Sequence, residues 1–275
     1  MKDIINAIRL FFIWVCVLIA GGLGLLFFIS PAPALAQGTA PNLDSAARYA
    51  QCIQLVSRDP DQAFDRAQAW RTDGGGAAAR HCEALALVEL KLYGEAAVRL
   101  GDLADAPDAG GPGDRAALLA QAGNAWLLAG SGENAVVALS AALTLTPGDV
   151  DMLIDRARGH AAVQNYAAAD ADLTQALAQR PDATNVLVLR AAARRVDNNL
   201  DAASADISQA LSLTPNDPFA LVERGSIRLA RGDTQGARAD WVAVARIVGE
   251  VDPDDPHATA LRDAQRNLEA LDVEQ

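Results

Sequence analysis

The sequence of 275 residues has few aromatic, histidine and cysteine residues and a deficit of basic charge. Aromatic residues make up 5%, so any hydrophobic core is built mainly from Ala, Leu and Val. Three His and three Cys provide little material for metal or nucleophile chemistry. A net charge of −12 argues against a nucleic-acid partner, because phosphate binding requires clustered Lys and Arg. Apolar residues nevertheless make up 51%, which excludes wholesale disorder.

The amino terminus has the layout of a secretory leader. Lys2 and Arg9 precede an uncharged apolar run over 10–29, and a small-x-small sequence at 34–36 is followed by Gln37. This order predicts a signal peptide over residues 1–36. The run is also long enough to cross a membrane as an uncleaved anchor, although three glycines within it weaken that alternative. Either outcome predicts export to a periplasmic location, with the membrane contacted only through the apolar run.

The rest of the chain repeats with a period of 34 residues, marked by Pro147, Pro181 and Pro215. Before each proline stand two alanines with a large apolar residue between them: Ala135, Leu139 and Ala142; Ala169, Leu173 and Ala176; Ala203, Ile207 and Ala210. Proline ends a helix, and alanine allows two helix backbones to approach closely. The pattern therefore indicates successive pairs of packed helices.

This pattern resembles the tetratricopeptide repeat (TPR) family, in which each unit consists of two antiparallel helices, A and B. The resemblance implies an all-α, right-handed superhelical solenoid of helix–turn–helix repeats with a C-terminal capping helix. The predicted organisation has four parts: the leader 1–36, degenerate TPR-like repeats over 37–115, four TPR repeats over 116–250, and the capping helix over 251–275.

Positions within a repeat are counted from its first residue, which we place at 44, 77, 116, 150, 184 or 218. A loop over residues 106–113 is predicted to interrupt the frame, and the capping helix is predicted to begin at Pro256 with Asp255 as its N-cap. Position 11, usually aromatic in the family, carries His160, Arg194 and Arg228 in the last three repeats. These substitutions predict a thinner core.

In the TPR family, helix A lines the concave face of the solenoid, chiefly through positions 2, 5, 6, 9, 12 and 13. The resemblance gives eight candidate groove residues: Asn124, Asp151, Asp155, Arg158, Asn185, Arg195, Phe219 and Glu223. The family's clamp for a C-terminal carboxylate is absent, because Ala120, Asp155 and Leu189 replace its residues. What remains is a groove of mixed polarity that suits a peptide, a helix or an extended tail. The alternative for each of these residues is a solvated helix face.

Cys52 and Cys82 are predicted to form a disulfide. In the repeat frame they occupy position 9 of one helix A and position 6 of the next, and neighbouring A helices lie side by side. An exported protein meets an oxidising environment in which disulfides persist. The alternatives are two separate buried thiols and a redox centre, and the second is disfavoured because the two cysteines form no Cys-x-x-Cys motif.

Positions 7 and 23 vary together between repeats. Three repeats have arginine at position 7 and aspartate at position 23: Arg156/Asp172, Arg190/Asp206 and Arg224/Asp240. The repeat from 77 swaps the signs as Glu83/Arg99, and the repeat from 116 has neutral Ala122/Ala138. The most degenerate repeat, from 44, is the exception, with Ala50/Arg66. Such co-variation suggests spatial contact. We therefore predict partly buried ion pairs that join helix A to helix B within each repeat.

No residue set in the sequence predicts catalysis, a cofactor or a metal site. A stack of repeats offers a long surface rather than an enclosed pocket, which suits polypeptides better than small molecules. We expect a non-catalytic adaptor or scaffold that binds a protein or peptide in the cell envelope. The main alternative is a membrane-tethered structural or assembly subunit that acts through oligomerisation, and a third is an accessory domain of an enzyme.

Overall fold

The computed structural model describes residues 43–252 and 254–273, and within them all regular structure is helical. The helices are α1 (Leu43–Val56), α2 (Pro60–Thr72), α3 (Gly76–Glu89), α4 (Tyr93–Asp105), α5 (Pro112–Leu128), α6 (Gly132–Leu145), α7 (Val150–Ala162), α8 (Tyr166–Gln179), α9 (Thr184–Val196), α10 (Leu200–Leu213), α11 (Pro218–Ala230), α12 (Thr234–Val248) and α13 (Ala258–Val273). The predicted all-α TPR solenoid is confirmed. The predicted leader lies outside the described residues.

The first twelve helices pair into six A–B hairpins, and α13 packs on the last of them. Each helix packs mainly on the helices before and after it in the chain. Neighbouring A helices also touch, since α1 contacts α3, α5 contacts α7, α9 contacts α11, and α11 contacts α13. Within the described residues, no two B helices make a comparable contact. The A helices are therefore closer together than the B helices and form the inner face of the array.

Close approach of helices A and B depends on small residues, as the sequence predicted. Gly123, at position 8 of α5, faces Leu139 at position 24 of α6, and a methyl group on Gly123 would lie 2.5 Å from Cγ of Leu139. Leu139 itself is fully buried, and burial of such a side chain contributes about 1.5–3 kcal/mol. A β-carbon at Gly123 would force the two helices apart and weaken this packing.

The turn between helices A and B has the same backbone geometry in five hairpins. Its position 15 adopts a left-handed conformation in each of them, at Lys91, Gly130, Gln164, Asn198 and Gly232. Glycine and asparagine tolerate this conformation, whereas lysine and glutamine are strained in it. The shared turn therefore depends on backbone geometry that two of the five residues adopt at a cost.

Two helix starts differ from the sequence prediction. The interrupting loop ends at Gly111, because Pro112 serves as the first residue of α5 and Asp114 Oδ2 accepts a hydrogen bond of 2.9 Å from the Gly111 amide. The capping helix α13 begins at Ala258 rather than Pro256. Asp255 Oδ1 instead accepts from the His257 amide at 2.7 Å, which holds a turn before the helix.

Candidate binding groove and the ion pairs behind it

The candidate groove is the inner face formed by the A helices. Its first polar cluster joins α5 to α7. Asn124 Nδ2 donates to Asp155 Oδ2 at 2.9 Å, and Arg158 donates to the other oxygen of Asp155 at 2.7 Å. The Asp155 side chain is 17% exposed, whereas that of Arg158 is 51% exposed. The carboxylate therefore faces its two protein partners, and the guanidinium faces the solvent of the groove.

A second polar cluster joins α9 to α11. Arg195 binds the carboxylate of Glu223 through two hydrogen bonds, the shorter of 2.6 Å. Burial raises the pKa of Glu223 above its ordinary value, and the hydrogen bond and charge of Arg195 partly oppose that rise. Again the acid is the more buried partner, since its side chain is 10% exposed against 28% for Arg195.

The other predicted groove residues are not part of these clusters. Asp151 is exposed and pairs with Arg180 at 2.8 Å, at the edge of the face. Asn185 is exposed on α9. Phe219 is 38% exposed, and its ring centroid lies 6.2 Å from that of His257. Of the eight predicted residues, the structure brings together Asn124 with Asp155 and Arg158, and Arg195 with Glu223.

The sequence analysis missed a hydrogen-bonded chain at the N-terminal end of the same face. The Tyr49 hydroxyl lies 2.7 Å from His81 Nδ1, and His81 Nε2 lies 2.7 Å from Gln121 Oε1. One neutral tautomer of His81 satisfies both contacts, with Nε2 donating to Gln121 and Nδ1 accepting from Tyr49. The three residues occupy positions 6, 5 and 6 of successive A helices, so the groove positions of the frame contained the signal.

The predicted disulfide between Cys52 and Cys82 is present. Its two α-carbons are 6.3 Å apart, and both cysteines lie in a small buried cluster with Ala63, Ala67 and Ala86. The bond crosses from α1 to α3 and therefore fastens the first hairpin to the second.

The co-varying pairs of positions 7 and 23 meet within their hairpins. Arg156 donates to both oxygens of Asp172 at 2.8 and 2.6 Å, and Arg190/Asp206 and Arg224/Asp240 have the same two-pronged geometry. The reversed pair Arg99/Glu83 is also in contact. The acids are buried in all four pairs, with exposures from 1% for Glu83 to 8% for Asp172.

The basic residues at position 11, which were predicted only to thin the core, lie beside the buried aspartates of position 23. Arg194 donates to Asp206 at 2.8 Å, and Arg228 donates to Asp240 at 2.7 Å, so these two of the three buried aspartates bind a second arginine. His160 lies 3.8 Å from Asp172, and burial lowers the pKa of this imidazole despite the nearby carboxylate. Charge pairing replaces part of the aromatic packing at this position.

Hydrogen bonds also extend two of these pairs into the preceding repeat. Arg156 Nη1 donates to the Ser140 hydroxyl at 3.3 Å, and Arg190 Nη1 donates to the Thr174 hydroxyl at 3.1 Å. Ser140 and Thr174 both occupy position 25 of their repeats. The charges therefore link neighbouring hairpins as well as the two helices of one hairpin.

The inner face also contains an apolar pocket between α7, α8 and α9, with a volume of about 140 Å³. Its lining includes Ala161, Leu173, Leu189 and Val196, together with Tyr166 of α8. Arg158 is the one charged residue of this lining. The groove is thus mainly apolar between the two charged clusters.

Within residues 43–252 and 254–273, no helix is long and apolar enough to cross a membrane. In the same part of the chain, no cluster of three or more His, Cys, Asp or Glu could hold a metal ion. The inner face carries paired charges, the exposed amide of Asn185 and apolar surface. These groups can bind a ligand noncovalently.

No protein-family model matches the sequence, and no curated protein matches it. Solved structures do match. MamA 41-end from Desulfovibrio magneticus RS-1 is 18% identical with a TM-score of 0.53, over 67% of this chain and 96% of that one. YrrB, described as a TPR protein with an unusual peptide-binding site, is 16% identical with a TM-score of 0.51, over 74% and 98%. At such identities the likeness concerns the fold, and this chain has the fold of the tetratricopeptide repeat proteins.

Proposed function

We propose that the protein is a non-catalytic adaptor that holds a polypeptide along the inner face of its solenoid. The observation that carries the proposal is the exposed apolar surface of that face. Leu128, Val196 and Leu229 occupy positions 13, 13 and 12 of α5, α9 and α11, and each is 38–58% exposed. The polar residues beside them are already paired with each other. An apolar groove with satisfied polar groups favours a polypeptide ligand over a charged metabolite.

The fold supports this proposal by analogy. TPR proteins act as interaction scaffolds, and YrrB is described as having a peptide-binding site. Fold alone does not determine function, so the argument depends on the exposed residues of this chain.

The proposal also includes action outside the cytoplasm. The predicted leader and the Cys52–Cys82 disulfide support it, because disulfides persist mainly in oxidising compartments. Intact-mass measurement of protein from the native cell should find a chain that begins at Gln37. Retention of Met1 would contradict cleavage, and recovery of the protein from the cytoplasmic fraction would contradict export.

Affinity purification of the full-length protein from its native cell tests the adaptor function. Val196→Glu places a charge on the apolar inner face and should abolish co-purification of the partner. Val137→Glu is the matched control, since Val137 is 70% exposed on the helix B α6. Equal recovery of the partner with both variants would contradict binding in the groove and favour an assembly subunit that acts through other surfaces.

Arg195→Glu is unsuitable for this test. The new carboxylate would face buried Glu223, so loss of the partner could not be separated from loss of the fold.

A further inference from the structure

The apolar pocket exists because two adjacent repeats have alanine where the others have larger residues. Position 12 of the last four repeats is Leu127, Ala161, Arg195 and Leu229, and position 9 is Asn124, Arg158, Ala192 and Ser226. Ala161 on α7 and Ala192 on α9 both line the pocket. At the next junction Arg195 and Glu223 occupy the corresponding space. The junction of α11 with α13 has a separate cavity of about 380 Å³, and its lining includes the polar residues Arg195, Ser226 and Asn267.

The size and lining of the pocket match one large apolar side chain. Its volume of about 140 Å³ is close to that of a cavity of about 150 Å³ that is known to bind benzene. The lining residues Leu173, Leu189 and Val196 supply apolar contacts. A leucine, isoleucine, methionine or phenylalanine side chain would fill such a space, whereas a charged side chain would lose its hydration without a partner.

The charged residue that lines the pocket has the opposite sign to the net charge of the whole protein. The net charge of the chain is −12, yet Arg158 is the charged residue that lines the pocket. Asp155, which neutralises it, is turned inward and is 17% exposed against 51% for Arg158. Arg195, beside Val196, has the same arrangement with buried Glu223. In both pairs the arginine is therefore more exposed than the acid, and Arg158 is the more exposed of the two arginines.

We propose that this pocket anchors the partner through one large aliphatic or aromatic side chain, with a neighbouring Asp or Glu of the partner accepting hydrogen bonds from Nη2 and Nε of Arg158, since Asp155 binds Nη1. The proposal rests on the proposed adaptor function and specifies the chemistry of the polypeptide that the groove accepts. The apolar side chain supplies most of the affinity, because burial of apolar surface exceeds the contribution of an exposed ion pair. The acidic residue selects against basic segments.

A displayed library of short random peptides, selected on the full-length protein, tests this proposal. The wild type should enrich peptides that carry Leu, Ile, Met or Phe with Asp or Glu nearby. Ala161→Leu fills the pocket with the residue that other repeats have at position 12, and it should weaken binding of a selected peptide by about tenfold or more. Arg158→Ser introduces the residue of position 9 in the repeat from 218. It should remove the acidic preference and weaken binding by up to about fivefold.

Two control variants repeat these changes away from the groove. Ala171→Leu enlarges an exposed alanine on the helix B α8 of the same repeat, and Arg266→Ser removes an arginine on α13 that is 71% exposed. Neither should alter peptide binding, and circular dichroism should show equal helix content in all four variants.

The outcomes separate the inference from the proposed function. Enriched peptides that bind Ala161→Leu as tightly as the wild type, or that are rich in Lys and Arg, would overturn the anchor and leave the adaptor function standing. A wild-type protein that enriches no peptide would count against both.

Discussion

The first two hairpins and the last three hairpins are held together in different ways. α1 and α3 are joined by a covalent bond between Cys52 and Cys82, and the Glu83/Arg99 pair of the second hairpin has its signs reversed. From α7 to α12, every hairpin has a buried aspartate bound by an arginine of its helix A. The comparison teaches that departure from the repeat pattern coincides with the addition of a covalent cross-link between hairpins, beside the ion pairs that Glu83 makes with Arg99 and Arg71.

The largest expected effect is loss of a buried aspartate in the regular half. Asp206 is 5% exposed and accepts from Arg190 and Arg194, so Asp206→Ala leaves two partly buried arginines without their shared acceptor. Breaking such a pair costs roughly 3–5 kcal/mol of unfolding free energy. Urea denaturation followed by circular dichroism measures the loss. Asp201→Ala is the control on the same helix, and because Asp201 is fully exposed, this change should matter little.

A double-mutant cycle distinguishes pairing from packing at this site. Arg190→Ala should destabilise the wild type far more than it destabilises the Asp206→Ala variant. A coupling energy near zero would contradict the inference that the two residues stabilise each other, whatever their distance.

Removal of the disulfide should lower the unfolding free energy by a similar amount, but the destabilisation should be confined to the first hairpins. The bond closes a loop of 30 residues, which corresponds to about 3–4 kcal/mol in the chain-entropy description. In the Cys52→Ala/Cys82→Ala variant, amide hydrogen exchange should accelerate in α1 and α2 and stay unchanged in α9 to α12. Equal acceleration along the whole solenoid would remove the distinction between the two halves.

A smaller effect is expected in the pH dependence of folding stability, through a glutamate of the regular half. Burial raises the pKa of Glu223, so the folded chain binds this proton more tightly than the unfolded chain does. The contribution of Glu223 to stability therefore falls as pH rises from its ordinary pKa through its raised pKa. Between about pH 4 and about pH 7, the urea midpoint of Glu223→Gln should therefore fall less than that of the wild type. Identical pH profiles would refute the raised pKa.

The smallest expected effects come from the shared A–B turn, which is common to both halves. Lys91 in the irregular half and Gln164 in the regular half are left-handed at position 15. Replacing either by glycine should stabilise the protein by roughly 0.5–1 kcal/mol, because relief of strain exceeds the added entropy of glycine. Asn198→Gly should gain less, since asparagine tolerates this conformation. A thermal melt of the three variants ranks them, and destabilisation of Gln164→Gly would contradict the strain.

The fold was predictable because its determinants recur at fixed spacing. Alanines and prolines every 34 residues mark the helix pairs, and Arg156/Asp172 and its counterparts vary together. The start of α5 was missed because Pro112 belongs both to a glycine-rich loop and to a helix N-terminus. The repeat frame does not show which of these two roles a residue takes.

The candidate groove was less predictable than the fold. Contacts such as Asn124 with Asp155, and Arg195 with Glu223, join neighbouring repeats, so they depend on how far one hairpin is rotated relative to the next. The second arginine on Asp206 was missed because position 11 was interpreted only as an aromatic site. The pocket required Ala161 and Ala192 to be compared across two repeats, and a position-by-position comparison would have suggested it.

The spacing of 16 residues within each ion pair has a consequence for how such a chain can gain or lose repeats. Both members of Arg156/Asp172 belong to residues 150–183, so excision of that segment would remove the two charges together. Ser140 would then stand where Thr174 stood, at position 25 before Arg190, and could accept the same hydrogen bond. Excision of residues 184–217 would instead take Arg195 away from buried Glu223. Excision of residues 150–183 would likewise take Asp170 away from Arg194, so ion pairs within a repeat are removed whole whereas ion pairs between repeats are broken.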